Sequence, residues 1–218
     1  MVRWTERAGE LPALALEEAE RLGHRYLGTE HLLLALLRQE GTPAANLLRA
    51  HGVELEATRA EVDRLVASGA LPAPRPSDGE LLATVGIDLD TVYRRATQAF
   101  RTTAYYQAAQ RVRTRSVGAV LHTPMGGTPL LIRRVLLLAC DEAVARGQQV
   151  TAEHVLLGLL RDAEDPSGAG LLPPERRLCA HLGLPEHGPH PVRLLLEGLG
   201  TTPEALRAAV LRRLDGVR

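Results

Sequence analysis

The sequence contains no lysine: all 26 basic residues are arginine. That absence excludes any chemistry resting on a primary amine side chain. A P-loop lysine under a nucleotide, a Schiff base, a Ser-x-x-Lys dyad and a kinase-type Lys–Glu pair are all ruled out. Aromatics are scarce, 3% of 218 residues, with one Trp and one Phe. The apolar content is therefore mostly Leu, Ala and Val, which favours helices over sheets. Cys140 and Cys179 are the only cysteines, with no Cys-x-x-Cys spacing and too few for a disulfide framework. No run of about 18 uncharged apolar residues occurs, so no membrane span is expected. Neither sign of charge is in excess, since 26 acidic residues balance the arginines. The molecule as a whole has no bulk attraction to nucleic acid or anionic lipid. Arg3, Glu6, Arg7 and Glu10 interrupt the first turns, unlike a secretory leader. A soluble, reduced, cytoplasmic protein is the expectation.

What is present is helical periodicity. Thr5 suits an N-cap, Glu6 suits the positive end of a helix, and Leu11, Ala15, Ala19 and Leu22 recur at helical spacing until Gly23. After Gly28, Thr29 reads as the N-cap of a helix through Arg38 that is apolar nearly all round and hence central. Pro43 opens a third helix to Ala50, and a fourth runs from about Glu54 to Val66. Residues 69–127 begin as a Pro-rich linker. They continue with Arg94, Arg95, Arg101, Arg111, Arg113 and Arg115 interleaved with Tyr93, Phe100, Tyr105 and Tyr106.

The second half repeats the first. Glu30-His31-Leu32-Leu33-Leu34-Ala35-Leu36-Leu37-Arg38 returns as Glu153-His154-Val155-Leu156-Leu157-Gly158-Leu159-Leu160-Arg161, and Gly52 to Arg59 matches Gly200 to Arg207. The expectation is an all-α fold of two pseudo-symmetric four-helix repeats. They span 1–68 and 128–218, joined by the long 69–127 segment, with an insertion at about 162–192.

Trp4-Thr5-Glu6-Arg7-Ala8, Glu17-Glu18-Ala19, Leu22-Gly23-His24 and Gly28-Thr29-Glu30-His31-Leu32-Leu33-Leu34 together resemble the N-terminal domain of the Clp unfoldases, the ClpC type above all. The resemblance is strong over residues 3–66 and weaker over 128–214. Trp4 stands where Phe is usual, and the second Gly-Thr-Glu-His has become Thr151-Ala152-Glu153-His154. No ATPase module follows within these residues, so a stand-alone N-domain is expected. The resemblance implies a non-catalytic module that binds peptides or proteins as an accessory to a Clp protease machine, through the ATPase, its adaptors or its clients. It also implies phosphoarginine recognition and, as in actinobacterial members, binding of cyclic-peptide natural products.

By the same resemblance, Thr5 with Glu30 forms one phosphoarginine pocket and Thr128 with Glu153 a second, with Trp4 beside the first as a fluorescent reporter. A carboxylate would take the guanidinium through paired hydrogen bonds, and a threonine hydroxyl with helix N–H groups would take the phosphoryl oxygens. The simpler reading makes Thr5, Thr29 and Thr151 helix caps, with Glu30 and Glu153 complementing helix dipoles. His31 and His154 read as structural. Cys179, His181, His187 and His190 match no familiar zinc spacing, so no metal or other cofactor is expected. The Arg/aromatic stretch at 91–115 carries the alternative, a nucleic-acid-binding regulator, against packing on a repeat or docking of an acidic partner. Ser68, Ser77, Ser116 and Ser167 lie in no nucleophile motif, and no enzymatic activity is expected.

Overall fold

The computed structural model describes residues 2–24, 26–74, 83–88, 91–92, 95, 130–165 and 190–216. Among them stand eight helices: α1 (Glu6–Arg21), α2 (Thr29–Arg38), α3 (Pro43–Ala50), α4 (Leu55–Ala67), α5 (Leu130–Ala145), α6 (Ala152–Glu164), α7 (Pro191–Gly198) and α8 (Pro203–Asp215). The described residues contain no strand, only a single bridge between Trp4 and Val150. The architecture is all-α, as the composition and periodicity lead one to expect.

The helices begin and end for local reasons. Thr5 caps α1 by accepting the Ala8 N–H at 3.4 Å, and Thr42 caps α3 by accepting Ala45 N–H at 3.2 Å. Pro43 and Pro191 occupy first-turn positions where a missing N–H costs nothing. Gly23 ends α1 at φ +68° and Gly147 ends α5 at φ +64°, conformations that a side chain disfavours.

Two features of the local reading change. Thr29 is not a cap: α2 starts at Thr29 itself, and the cap is Gly28, whose N–H goes to the His31 ring Nδ1 at 3.0 Å. A side chain at Gly28 would collide with the Glu30 carboxylate, which folds back over it with Oε1 2.6 Å from where a Cβ would sit. The second change lies at the start of the insertion. Helix α6 runs on to Glu164, burying Asp162 and Ala163, so residues 162–164 extend the repeat helix instead of leaving it.

The two Leu-rich helices are the centre of the molecule. Every residue of α2 from Thr29 to Leu37 is buried, and α6 buries nearly all of its length. Each pairs with the helix before it, α1 with α2 and α5 with α6, and α2 and α6 also touch each other. The C-terminal helices cross between repeats: α7 packs on α2 and α4, while α8 packs on α3 as well as on α6. One continuous apolar cluster results, with Leu32, Leu33, Leu156 and Leu157 fully buried in it. Neither repeat could bury its apolar faces as well alone.

The closest approach is between α5 and α6. A Cβ at Gly158 would lie 2.8 Å from the Ala139 amide nitrogen and nearer still to the Val135 carbonyl oxygen, both backbone atoms that cannot swing aside. The equivalent position of α2 holds Ala35. Gly158→Ala is therefore expected to destabilise the fold by about 1–3 kcal/mol, despite the better helix propensity of alanine. Urea unfolding measures this, and an unchanged midpoint would refute it.

Candidate functional site

The bridge that precedes α1 sets the site. Thr5 N donates to the Val150 carbonyl at 3.0 Å, Val150 N donates to the Arg3 carbonyl at 2.8 Å, and the Thr5 hydroxyl adds a bond to the same Val150 oxygen at 3.2 Å. Val150 leads directly into Thr151, the N-cap of α6. The start of α1 is thus tied to the start of α6, across the two repeats.

A cavity of about 340 Å³ opens at this junction. It is lined by Thr5, Glu6 and Arg7 from α1, Thr42 and Pro43 from α3, and Thr151, Ala152 and Glu153 from α6. Three helix N-termini converge there, each with first-turn N–H groups that have no partner within the helix. Their partial positive charges favour an anion, while the Glu153 carboxylate on the same wall favours a cation. The hydroxyls of Thr5 and Thr42 are committed, since Thr5 donates to Val150 and Thr42 donates to the Gln39 carbonyl at 2.7 Å. The donors this cavity offers an anion are accordingly main-chain N–H groups and Arg7.

The structure pairs the sequence-selected residues differently from their order in the chain. Thr5 shares its cavity with Glu153, whereas Glu30 does not line it. Trp4, next to Thr5 in the chain, does not line the cavity and is half-buried against the core. Thr128 lies outside the described residues.

Glu30 is only 1% exposed and belongs to a buried polar cluster with His24, Tyr26 and His31. His24 Nδ1 lies 2.9 Å from His31 Nε2, and the His24 and Tyr26 rings stack with centroids 5.3 Å apart. The tautomers follow from the geometry. His31 Nδ1 accepts the Gly28 N–H, so Nε2 carries the proton and donates it to His24 Nδ1. Although His24, Glu30 and His31 offer ligand atoms within 4.8 Å of one another, His31 has no lone pair left for a metal. Burial lowers both imidazoles, His24 to about 4 and His31 to about 3, and raises the Glu30 carboxyl. Both imidazoles of the cluster are uncharged at neutral pH. His154 is held likewise, its Nδ1 3.2 Å from Thr151 N.

Of the other candidates, His190 caps α7 by accepting Val192 N–H at 3.2 Å, and its Nε2 meets Asp162 at 3.0 Å, so both ring nitrogens are engaged. Cys179, His181 and His187 lie outside the described residues, as does the Arg/aromatic stretch apart from Thr91, Val92 and Arg95. Burial, with the Asp141 charge, raises the Cys140 thiol above its ordinary value, which does not suit a nucleophile. Among the described residues no helix is long and apolar enough to cross a membrane. What sequence reasoning missed is Thr42, Thr151 and Arg7 as walls of the site. The cap signals were visible, but not the fact that three caps meet.

The profile of the Clp repeat (R) N-terminal domain matches residues 3–102. Chaperone protein ClpB of Oceanobacillus iheyensis is 31% identical over 163 residues, 74% of this chain and 14% of that protein. The negative regulator of genetic competence ClpC/MecB of Bacillus subtilis is 32% identical over 163 residues, again 74% of this chain and 14% of the relative. The chain thus spans about a seventh of the length of these relatives. The crystal structure of the N-terminal domain of ClpD from Arabidopsis thaliana superposes with a TM-score of 0.52 at 19% identity, covering 98% of this chain and 95% of that one, a likeness of fold alone. Over residues 3–102 the chain carries the Clp repeat (R) N-terminal domain.

Proposed function

We propose that this protein is a non-catalytic receptor for peptide segments of other proteins, acting beside a Clp protease machine, and that its ligand is a phosphoarginine side chain seated in the Thr5–Glu153 cavity. The observation that carries this reading is the meeting of three helix N-termini with two carboxylates, Glu6 and Glu153. A phosphorylated guanidinium is both anion and cation, and the cavity offers a partner to each. The phosphoryl oxygens face the N–H groups of α1, α3 and α6 together with Arg7, and the guanidinium faces Glu153. Adaptor binding and capture of cyclic-peptide natural products are further uses of such a surface, supported here by the Clp repeat domain match alone. Glu30 stays outside the proposal, because a carboxylate 1% exposed is not available to a ligand, and Thr128 lies outside the described residues.

Trp4 is the only tryptophan and precedes Thr5, so its fluorescence reports on the cavity. Titration with a phosphoarginine peptide is expected to give saturable binding that its unmodified twin does not. Glu153→Ala is expected to weaken it about tenfold, the cost of a lost charge-assisted pair. Equal binding of the two peptides, or an undiminished affinity in the variant, would remove the reading.

A further inference from the structure

A second cavity, of about 380 Å³, continues along α1 from the first, and the two share Glu6 and Arg7. Its electrostatic character is opposite. Glu6, Glu10 and Glu40 are exposed carboxylates on its wall. The C-terminal end of α2, at Arg38 and its cap Gln39, adds the negative end of the helix dipole, although the Leu37, Arg38 and Gln39 carbonyls already accept bonds from Arg49, Glu40 N and Thr42. Among the described residues no cation pairs with Glu6 or Glu10, and Glu40 meets only Arg49, at 3.9 Å. Neither arginine on the wall pairs with Glu6 or Glu10, and Arg7 commits only its Nη1. Arg7 donates to the Glu40 carbonyl at 3.2 Å, and Arg38 meets Glu17 at 2.8 Å, Glu18 at 3.4 Å and the Leu14 carbonyl at 3.4 Å.

Gln39 supplies an independent sign of a missing donor. It lines the cavity at 7% exposure, and its Nε2 donates to the Arg7 carbonyl at 2.5 Å. A carbonyl can only accept, so the amide cannot be reversed. Its Oε1 is consequently fixed, buried and without a partner. A buried acceptor left unpaired is costly and calls for a donor from outside the chain.

We propose that this second cavity is a subsite for a cationic side chain, an ammonium or guanidinium, carried by the same peptide whose modified residue fills the first. The inference rests on the reading of the first cavity and adds a sequence preference to it: a basic residue within one or two positions of the phosphoarginine. The three carboxylates and the negative end of α2 attract the charge, beside Gln39 Oε1, which no donor of the described residues reaches.

The test is a set of four peptides, with and without phosphoarginine and with lysine or alanine at the flanking positions, titrated into the full chain and its Glu10→Gln variant at low salt. Glu10 is exposed and holds no other element in place, so the variant folds. The lysine phosphopeptide is expected to bind about threefold to tenfold more tightly than the alanine one, with the advantage reduced in Glu10→Gln and at high salt. If lysine and alanine phosphopeptides bind alike, the subsite is overturned and the first cavity stands. Binding of the unmodified lysine peptide alone, sensitive to Glu10→Gln, would keep the subsite and overturn the phosphoarginine reading. If no peptide binds, both fail.

Discussion

Replacing Glu18 with alanine is expected to cost about 3 kcal/mol of stability, the largest effect of any single polar substitution here. The side chain is 1% exposed, yet it lies among three arginines. Arg59 reaches it with two bonds, Nε to Oε2 at 3.1 Å and Nη2 to Oε1 at 2.6 Å. Arg21 adds a contact at 3.3 Å and Arg38 one at 3.4 Å. These bonds tie α1 to α2 and α4. Removal strands the arginines, but Arg59, at 16% exposure, and Arg38, at 28%, both reach water, which holds the loss near the low end for a broken buried pair. Burial pushes the Glu18 carboxyl up, and the hydrogen bonds and charge of Arg59, helped by Arg21, more than reverse this, so it titrates below its ordinary 4.5. Its contribution is therefore present above pH 4.5 and is lost as pH falls through the depressed value. Denaturant unfolding of Glu18→Ala and Glu18→Gln at pH 7 checks the prediction, and a loss under 1 kcal/mol in both would sink it.

The second large effect is acid lability of the His24–His31 pair. Burial lowers both imidazoles from 6.5, to about 4 and about 3, so in the fold they stay neutral where the unfolded chain is protonated. The sign is fixed by that difference. Below 6.5 the unfolded state binds more protons, and stability falls with pH until the folded values are reached. At about 1.4 kcal/mol per unit for each neutral imidazole, the pair by itself contributes a loss on the order of 4 kcal/mol between pH 7.5 and pH 5. The buried Glu30 carboxyl, raised by burial, opposes this loss by taking up a proton in the fold. Stability measured across that window should show the slope, and His24→Gln with His31→Gln should flatten it even as the double variant is less stable overall. A wild-type profile level from pH 7.5 to 5 would refute the account.

How the sequence relates to the structure differs from element to element. The run from Leu32 to Leu37 reads as a central helix because it is apolar all round, and it is fully buried. The Thr5 cap and the stop at Gly23 read correctly because capping and positive φ are properties of one turn of chain. Thr29 misleads because threonine before a leucine run has the same local signature whether it caps or begins the helix. The difference lies in a ring, His31, reaching back to Gly28.

The candidate site shows the sharper division. Thr5 and Glu153 both stand out in the sequence as members of a repeat, but equal spacing pairs Thr5 with Glu30, and the Thr5–Val150 bridge pairs it with Glu153 instead. Nor does spacing reveal that Glu30 is buried, or that Gln39 is left with an unpaired carbonyl beside three carboxylates. By itself the sequence determined the helices, their order, the repeat and the absence of lysine chemistry, because these depend on contacts within a few residues or on composition. Only the tertiary structure decided which helix ends meet, since that depends on how the buried faces of α2 and α6 pack. Burial is insensitive to which end of a helix faces which, until two apolar surfaces are pressed together and the loops between them are drawn into place.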